Sequence, residues 1–136
     1  PGQIVGYPIL DLENFFTDIH KYLRLLEETI IQTLSKYNLS GGRSEGNTGV
    51  WLDVESNNSR KICAMGVRAS RWVTMHGLAL NANVNLEYFD NIVPCGIKNN
   101  VVTSMSKELK TNIDQDALKS VIKNSFLKVF NATIIE

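Results

Sequence analysis

Gln3-Ile4-Val5-Gly6-Tyr7-Pro8-Ile9-Leu10 is short, apolar and rich in β-formers. That pattern predicts a strand, and Pro8 assigns it to an edge or a bulge. From Asp11 to about Tyr37 the period lengthens. Phe15, Ile19, Leu23, Leu26, Ile30, Leu34 and Tyr37 recur at spacings of four, four, three, four, four and three, which describes one face of a long amphipathic helix. Asp18, Lys21, Glu28 and Lys36 mark the opposite face. Both a core-packing helix and a coiled-coil partner surface fit this pattern.

Asn38 to Gly49 is rich in Gly, Ser and Asn and reads as a loop. Its Gly41-Gly42-Arg43 has neither the G-x-x-x-x-G-K-[ST] spacing nor the G-x-G-x-x-G fingerprint of phosphate cradles. Val50 to Val54, the polar turn Glu55 to Arg60 and the apolar run opened by Lys61 together predict a β-hairpin. Lys61 to Val67 and Val73 to Asn83 read as two further strands joined through Arg68 to Trp72. Gly77 lies mid-strand, the mark of a bulge or of a close approach of ligand to backbone. A helical turn is expected over Leu86 to Phe89, followed by a sharp corner at Pro94-Cys95-Gly96. A short helix capped near Thr103 is predicted over Val101 to Lys110. Asp114 caps a longer one to about Asn131, with Leu118, Val121, Ile122, Phe126, Val129 and Phe130 inward. Strand, helix, several strands, then helices make an α+β layer fold.

Composition narrows the function classes. The 136 residues suit a single domain, residues 1–136, that buries roughly two-thirds of its unfolded surface. Fourteen basic and 14 acidic residues cancel, which argues against a generic nucleic-acid or membrane-surface binder. No apolar run approaches the roughly 18 residues of a membrane span. Two cysteines, Cys63 and Cys95, lack C-x-x-C spacing, and no His/Asp/Glu spacing suggests a metal. A reducing, cytoplasmic setting is expected. The Pro-Gly-Gln opening, without a methionine, predicts further sequence upstream.

Pro94 fixes φ and Gly96 opens unusual backbone angles, so Cys95 stands on a corner that presents its side chain. From the residues alone, Cys95 is either a nucleophile or a small buried hydrophobe. As a nucleophile it needs a neighbour that takes its proton or stabilises the thiolate. His76 is a pocket residue or a satisfied structural histidine; His20 is a surface or packing residue. Lys61 is a solvated charge, a base enclosed in an apolar pocket, or the cation of an ammonium–thiolate pair. Spacing cannot place Lys61 and Cys95, 34 positions apart, in contact.

Four blocks in order carry a resemblance. They are Pro1 to Pro8, Lys61 to Arg68, Arg71 to Asn81 and Asn91 to Ile97. Together they resemble the lipoyl(octanoyl) transferases of lipoate biosynthesis, which share the biotin/lipoate protein ligase-like fold, a mixed or antiparallel sheet packed with helices. The opening block matches the tail of that family's R-G-G-x-x-T-Y-H-G-P-G-Q segment, so the N-terminal portion is expected to lie upstream of Pro1.

The resemblance implies that Cys95 takes the acyl group as a thioester and that Lys61 activates it and shuttles protons. Ala64-Met65-Gly66 and Gly77-Leu78-Ala79 would line the acyl pocket with His76 beside them, and Cys63 would be core or pocket wall. The implied reaction moves an octanoyl or lipoyl group from acyl carrier protein to a lysine of a lipoyl domain, in a 2-oxoacid dehydrogenase or the glycine cleavage H protein. It needs no cofactor, metal or ATP, and the enzyme is expected to be a monomer. Arg68, Arg71 and Lys98 are candidates for docking charge or ordinary surface residues. The alternatives are an ATP-dependent lipoate or biotin protein ligase and a catalytically incomplete binding relative of the same fold.

Overall fold

A computed structural model of the chain describes residues 1–87 and 101–135. The Pro94-Cys95-Gly96 corner lies outside them, and so does part of the helical turn expected at 86–89.

Five strands form one sheet among the described residues: β1 (Gln3–Gly6), β2 (Gly41–Gly42), β3 (Val50–Leu52), β4 (Arg60–Ser70) and β5 (Val73–Asn81). Their order is β1-β5-β4-β3-β2 and every neighbouring pair is antiparallel. Helices α1 (Ile19–Ser35), α2 (Met105–Leu109) and α3 (Gln115–Val129) complete the α+β architecture.

The expected helix from Asp11 to Tyr37 is broken. Asp11 caps a short 3-10 turn, Leu12–Asn14, by accepting from the Glu13 N–H. Asp18 then starts α1 by accepting from the Lys21 N–H at 3.0 Å. Both carboxylates satisfy backbone donors that a continuous helix would have used itself, so each begins a new element. The segment is also pulled toward the sheet, where the Leu12 N–H donates to the Trp72 carbonyl at 2.7 Å.

The loop expected at Asn38–Gly49 contributes β2, an edge strand. A methyl group on Gly41 would stand 2.9 Å from both Leu34 and Val50, and one on Gly42 would stand 2.8 Å from Val54. These glycines therefore let the chain lie against α1 and β3. Strand β4 runs on to Ser70, so the turn to β5 is only Arg71-Trp72, both at positive φ (51° and 65°). Strand β1 ends at Gly6, short of Leu10. The expected cap of the short helix shifts from Thr103 to Ser104, because Thr103 pairs with Lys61. Asp114 caps α3 as expected.

Leu26, Ile30 and Leu34 of α1 meet Val50, Cys63 and Leu80 of the sheet in a core completed by Leu118 and Phe130. Phe126 stacks on Phe130 with centroids 4.4 Å apart, and Tyr22 tilts against Phe130 at 5.9 Å. Such pairs add to the burial of the rings themselves. Among the described residues no helix is long and apolar enough to cross a membrane. Leu26 is fully buried at the centre of α1. Leu26→Ala is expected to lower the unfolding free energy by about 2–5 kcal/mol in urea titration.

Candidate active site

The hairpin of β4 and β5 sets the site. Its register pairs Ala64 with Ala79, Met65 with Leu78 and Gly66 with Gly77. Directly paired residues share a face, and neighbours along a strand alternate. Met65 and Leu78 turn into the core with Cys63 and Leu80, whereas Ala64 and Gly66 are exposed on the other face. Strand β1 adds Val5, opposite Ala79, and Tyr7 follows it. These residues and His76 surround a groove of about 370 Å³. Ala64, Met65, Gly66, His76, Gly77, Leu78 and Ala79 thus line one space. Val5 and Tyr7 complete its wall; an apolar edge strand and the opening block of the resemblance contain them, but neither signal marks them as lining.

The two glycines serve different needs. A methyl group on Gly77 would come 2.0 Å from the carbonyl oxygen of Gly6, so the close approach there is by β1. One on Gly66 meets nothing within 4 Å and would stand in open space. His76 is exposed and left-handed at φ 64°, an arrangement that costs of the order of 1–3 kcal/mol outside glycine.

Lys61 reaches this face through an irregularity. Val50 pairs with Cys63, but Trp51 pairs with Lys61, so Ile62 is an extra residue in β4. Without that bulge, Lys61 would share the core face of Cys63. With it, Lys61 shares the face of Trp51, and its Nζ lies 4.8 Å from the centre of the Trp51 ring. A bulge that re-aims a side chain in this way is common beside functional sites.

The other side of Lys61 pairs with residues 101–103. Its N–H donates to the Val101 carbonyl and its carbonyl accepts from the Thr103 N–H, both at 2.9 Å. The Asn81 amide donates to the Thr103 carbonyl at 3.1 Å. Glu108 accepts from the Thr103 hydroxyl at 2.7 Å and from two nitrogens of Arg60. Those guanidinium hydrogen bonds hold the Glu108 carboxyl below the usual carboxylate range against the opposing effect of burial. Cys63 is fully buried, and desolvation pushes its thiol up to about 12. It is a core residue. Cys95 and Lys98 lie outside the described residues; Arg68 and Arg71 are exposed near and at the tip of the hairpin.

The sequence profile of the lipoyl protein ligase A/B catalytic domain matches residues 1–127. The chain belongs to that family. Among curated members, the octanoyltransferases of Flavobacterium psychrophilum and Flavobacterium johnsoniae are 65% and 66% identical over 136 residues. Those matches cover 99% of this chain and 59% of each relative, so the chain spans about three fifths of their length. The fold recurs in a bipartite lipoate protein ligase from Thermoplasma acidophilum (TM-score 0.70, 13% identity, 98% of this chain and 52% of that one). It recurs again in the biotin protein ligase of Aquifex aeolicus (TM-score 0.73, 12% identity, 96% of this chain and 53% of that one). This bears out the expected family and its ligase-like fold, with the sheet antiparallel.

Two substitutions separate the roles of the family member's glycines. Gly77→Ala is expected to cost about 2 kcal/mol or more in urea unfolding, because backbone must move. Gly66→Val is expected to stay within about 0.5 kcal/mol of wild type, because its side chain would extend into open space. The Arg60–Glu108 contact predicts a pH dependence. Its contribution is complete above the ordinary carboxyl value of 4.5 and is lost as pH falls through the depressed folded value. In Glu108→Gln, the acid-side fall of unfolding free energy should be shallower, with the gap to wild type closing as pH drops.

Proposed function

We propose that these residues form the larger part of a single octanoyltransferase catalytic domain. It would transfer an octanoyl or lipoyl group from acyl carrier protein to a lysine of a lipoyl domain, as in lipoate biosynthesis. The observation that carries this reading is the position of Lys61 on the same sheet face as the groove of Ala64, Gly66 and Ala79. The names of the 65–66% identical relatives support it.

In this reading the Cys95 thiol proton rests on the Lys61 amine, an ammonium–thiolate pair. The thiolate attacks the carbonyl carbon of the donor thioester. The tetrahedral intermediate collapses, a new thioester forms at Cys95, and the carrier's thiolate leaves with the proton returned by Lys61. The neutral ε-amine of the acceptor lysine then attacks the Cys95 thioester. Its proton passes to Lys61, Cys95 departs as thiolate, and the product is an amide. Exchange of a thioester for an amide runs downhill, so no nucleotide is consumed.

The pairing of Lys61 with residues 101–103 supports the partnership, since Cys95 is only six positions before Val101. Cys63 is unsuited to the role, because a buried thiol at about 12 holds almost no thiolate at neutral pH. The groove's small and apolar lining suits an acyl chain, and its volume falls within the range of small-molecule sites. Arg68, Arg71 and Lys98 are proposed to meet acidic surfaces of the donor or acceptor domains.

The test is to incubate the whole protein with octanoyl-acyl carrier protein, without ATP, and take the intact mass. A hydroxylamine-labile octanoyl adduct is expected; it should be absent in Cys95→Ser and kept in Cys63→Ser. Lys61→Gln should slow its formation by about 10²- to 10⁴-fold. No adduct on the wild-type protein overturns the transferase reading, and strict dependence on ATP turns it toward a ligase.

A further inference from the structure

Two features around Lys61 are not used by the reaction as written. The first is the Trp51 ring beneath its ammonium, 4.8 Å from Nζ to centroid. An indole face attracts a cation through its quadrupole, and a half-buried site strengthens that attraction. The second is Glu27, a carboxylate with no exposed surface on α1. A buried carboxylate is costly unless it is paired and hydrogen-bonded. Glu27 meets that condition through Arg24 at 2.7 Å, Arg43 at 3.4 Å and the Gly49 N–H at 2.9 Å.

Gly49 connects the two. It begins the approach to β3 at φ 118°, a conformation suited to glycine. A methyl group there would lie 2.6 Å from the Cys63 carbonyl oxygen, 3.5 Å from the Trp51 ring and 3.6 Å from Lys61 Cε. Only the carbonyl distance is a clash; the other two are ordinary contacts, so Gly49 packs close to β4 and lies against both Trp51 and Lys61. Glu27 fixes the amide that sets where Trp51 begins, and Trp51 in turn faces Lys61 across the bulged pair.

We propose that Trp51, held in place through Gly49 by the buried Glu27, is a positioning residue that seats the charged end of Lys61 on the groove face. The consequence for catalysis rests on the reading of Lys61 as the proton-transfer group; the seat itself does not. A long lysine side chain has many rotamers, and a ring that holds its end in one place reduces the freedom lost when Lys61 meets its partner.

An aromatic ring moves the protons of a group over its face upfield, so the seat can be read without activity. In the whole protein, the Lys61 ε-methylene signal, assigned through Lys61→Arg, should lie upfield of the other lysines. Trp51→Leu should return it to the ordinary position, Trp51→Phe should keep part of the shift, and Glu27→Gln should reduce it. An unchanged Lys61 signal in Trp51→Leu overturns the seat.

The kinetic arm measures octanoyl-enzyme formation. Trp51→Leu should lower kcat about tenfold with the donor KM unchanged, and Trp51→Phe should restore most of it. Combined with Lys61→Gln, Trp51→Leu should add no further loss; full additivity overturns the positioning role. If Lys61→Gln alone leaves the rate intact, the proton-transfer reading fails, while the methylene shift still decides the seat.

Discussion

Strand β4 has one residue more than the part of β3 it faces, and the direction of Lys61 depends on that residue. In a regular strand, positions 61, 63 and 65 point the same way, here into a core of Cys63, Met65 and Leu80. A lysine ammonium directed there would need a partner or would lose its charge. Ile62 absorbs the extra step by becoming buried itself, and Lys61 emerges beside Trp51 on the opposite face. Both surroundings of β4, the packed core and the open groove, depend on the pairing resuming in phase after Ile62.

A bulge disrupts a ladder, so the structure around it has to hold the strand by other means. Lys61 pairs with β3 on one side and with residues 101–103 on the other. That second partner is fastened by Asn81 to Thr103 and by the contact among Arg60, Thr103 and Glu108. A forked guanidinium–carboxylate pair adds orientation as well as attraction. With side chains less than a quarter exposed, it is less screened than a surface pair. The same contact therefore steadies Lys61 and fixes residues 101–103 beside it.

The sheet and the α3 helix were legible because their signals are local: alternation, turn residues and the Asp114 cap. The groove was legible through the small residues at Ala64, Gly66, Gly77 and Ala79, whose family resemblance marked them before any packing was known. Failures arose where one local signal overrode another or where the decisive partner was distant. Apolar spacing ran through Phe15 and Ile19 and hid the fact that the Asp18 carboxylate would start a new helix. Gly41 and Gly42 read as loop because the side chains that require their smallness, Leu34 and Val50 for one and Val54 for the other, lie elsewhere in the chain. The bulge left no local mark at all. It exists only in the match between β3 and β4, and alternation counted along β4 alone gives Lys61 the wrong face.

Adjacent positions in one strand can hold opposite chemistry, and Cys63 shows how sharply. One step from an exposed alanine, it is enclosed on the core side, where burial raises its thiol to about 12 and removes it from nucleophilic chemistry. Lys61, two positions before it, lies on the other side only because Ile62 intervenes. Had the register slipped by one residue, the lysine would be desolvated in the core and the thiol would face the groove. The bulge thus does more than aim one side chain. It keeps a cation and an inert thiol, separated by a single residue, on opposite sides of the same sheet.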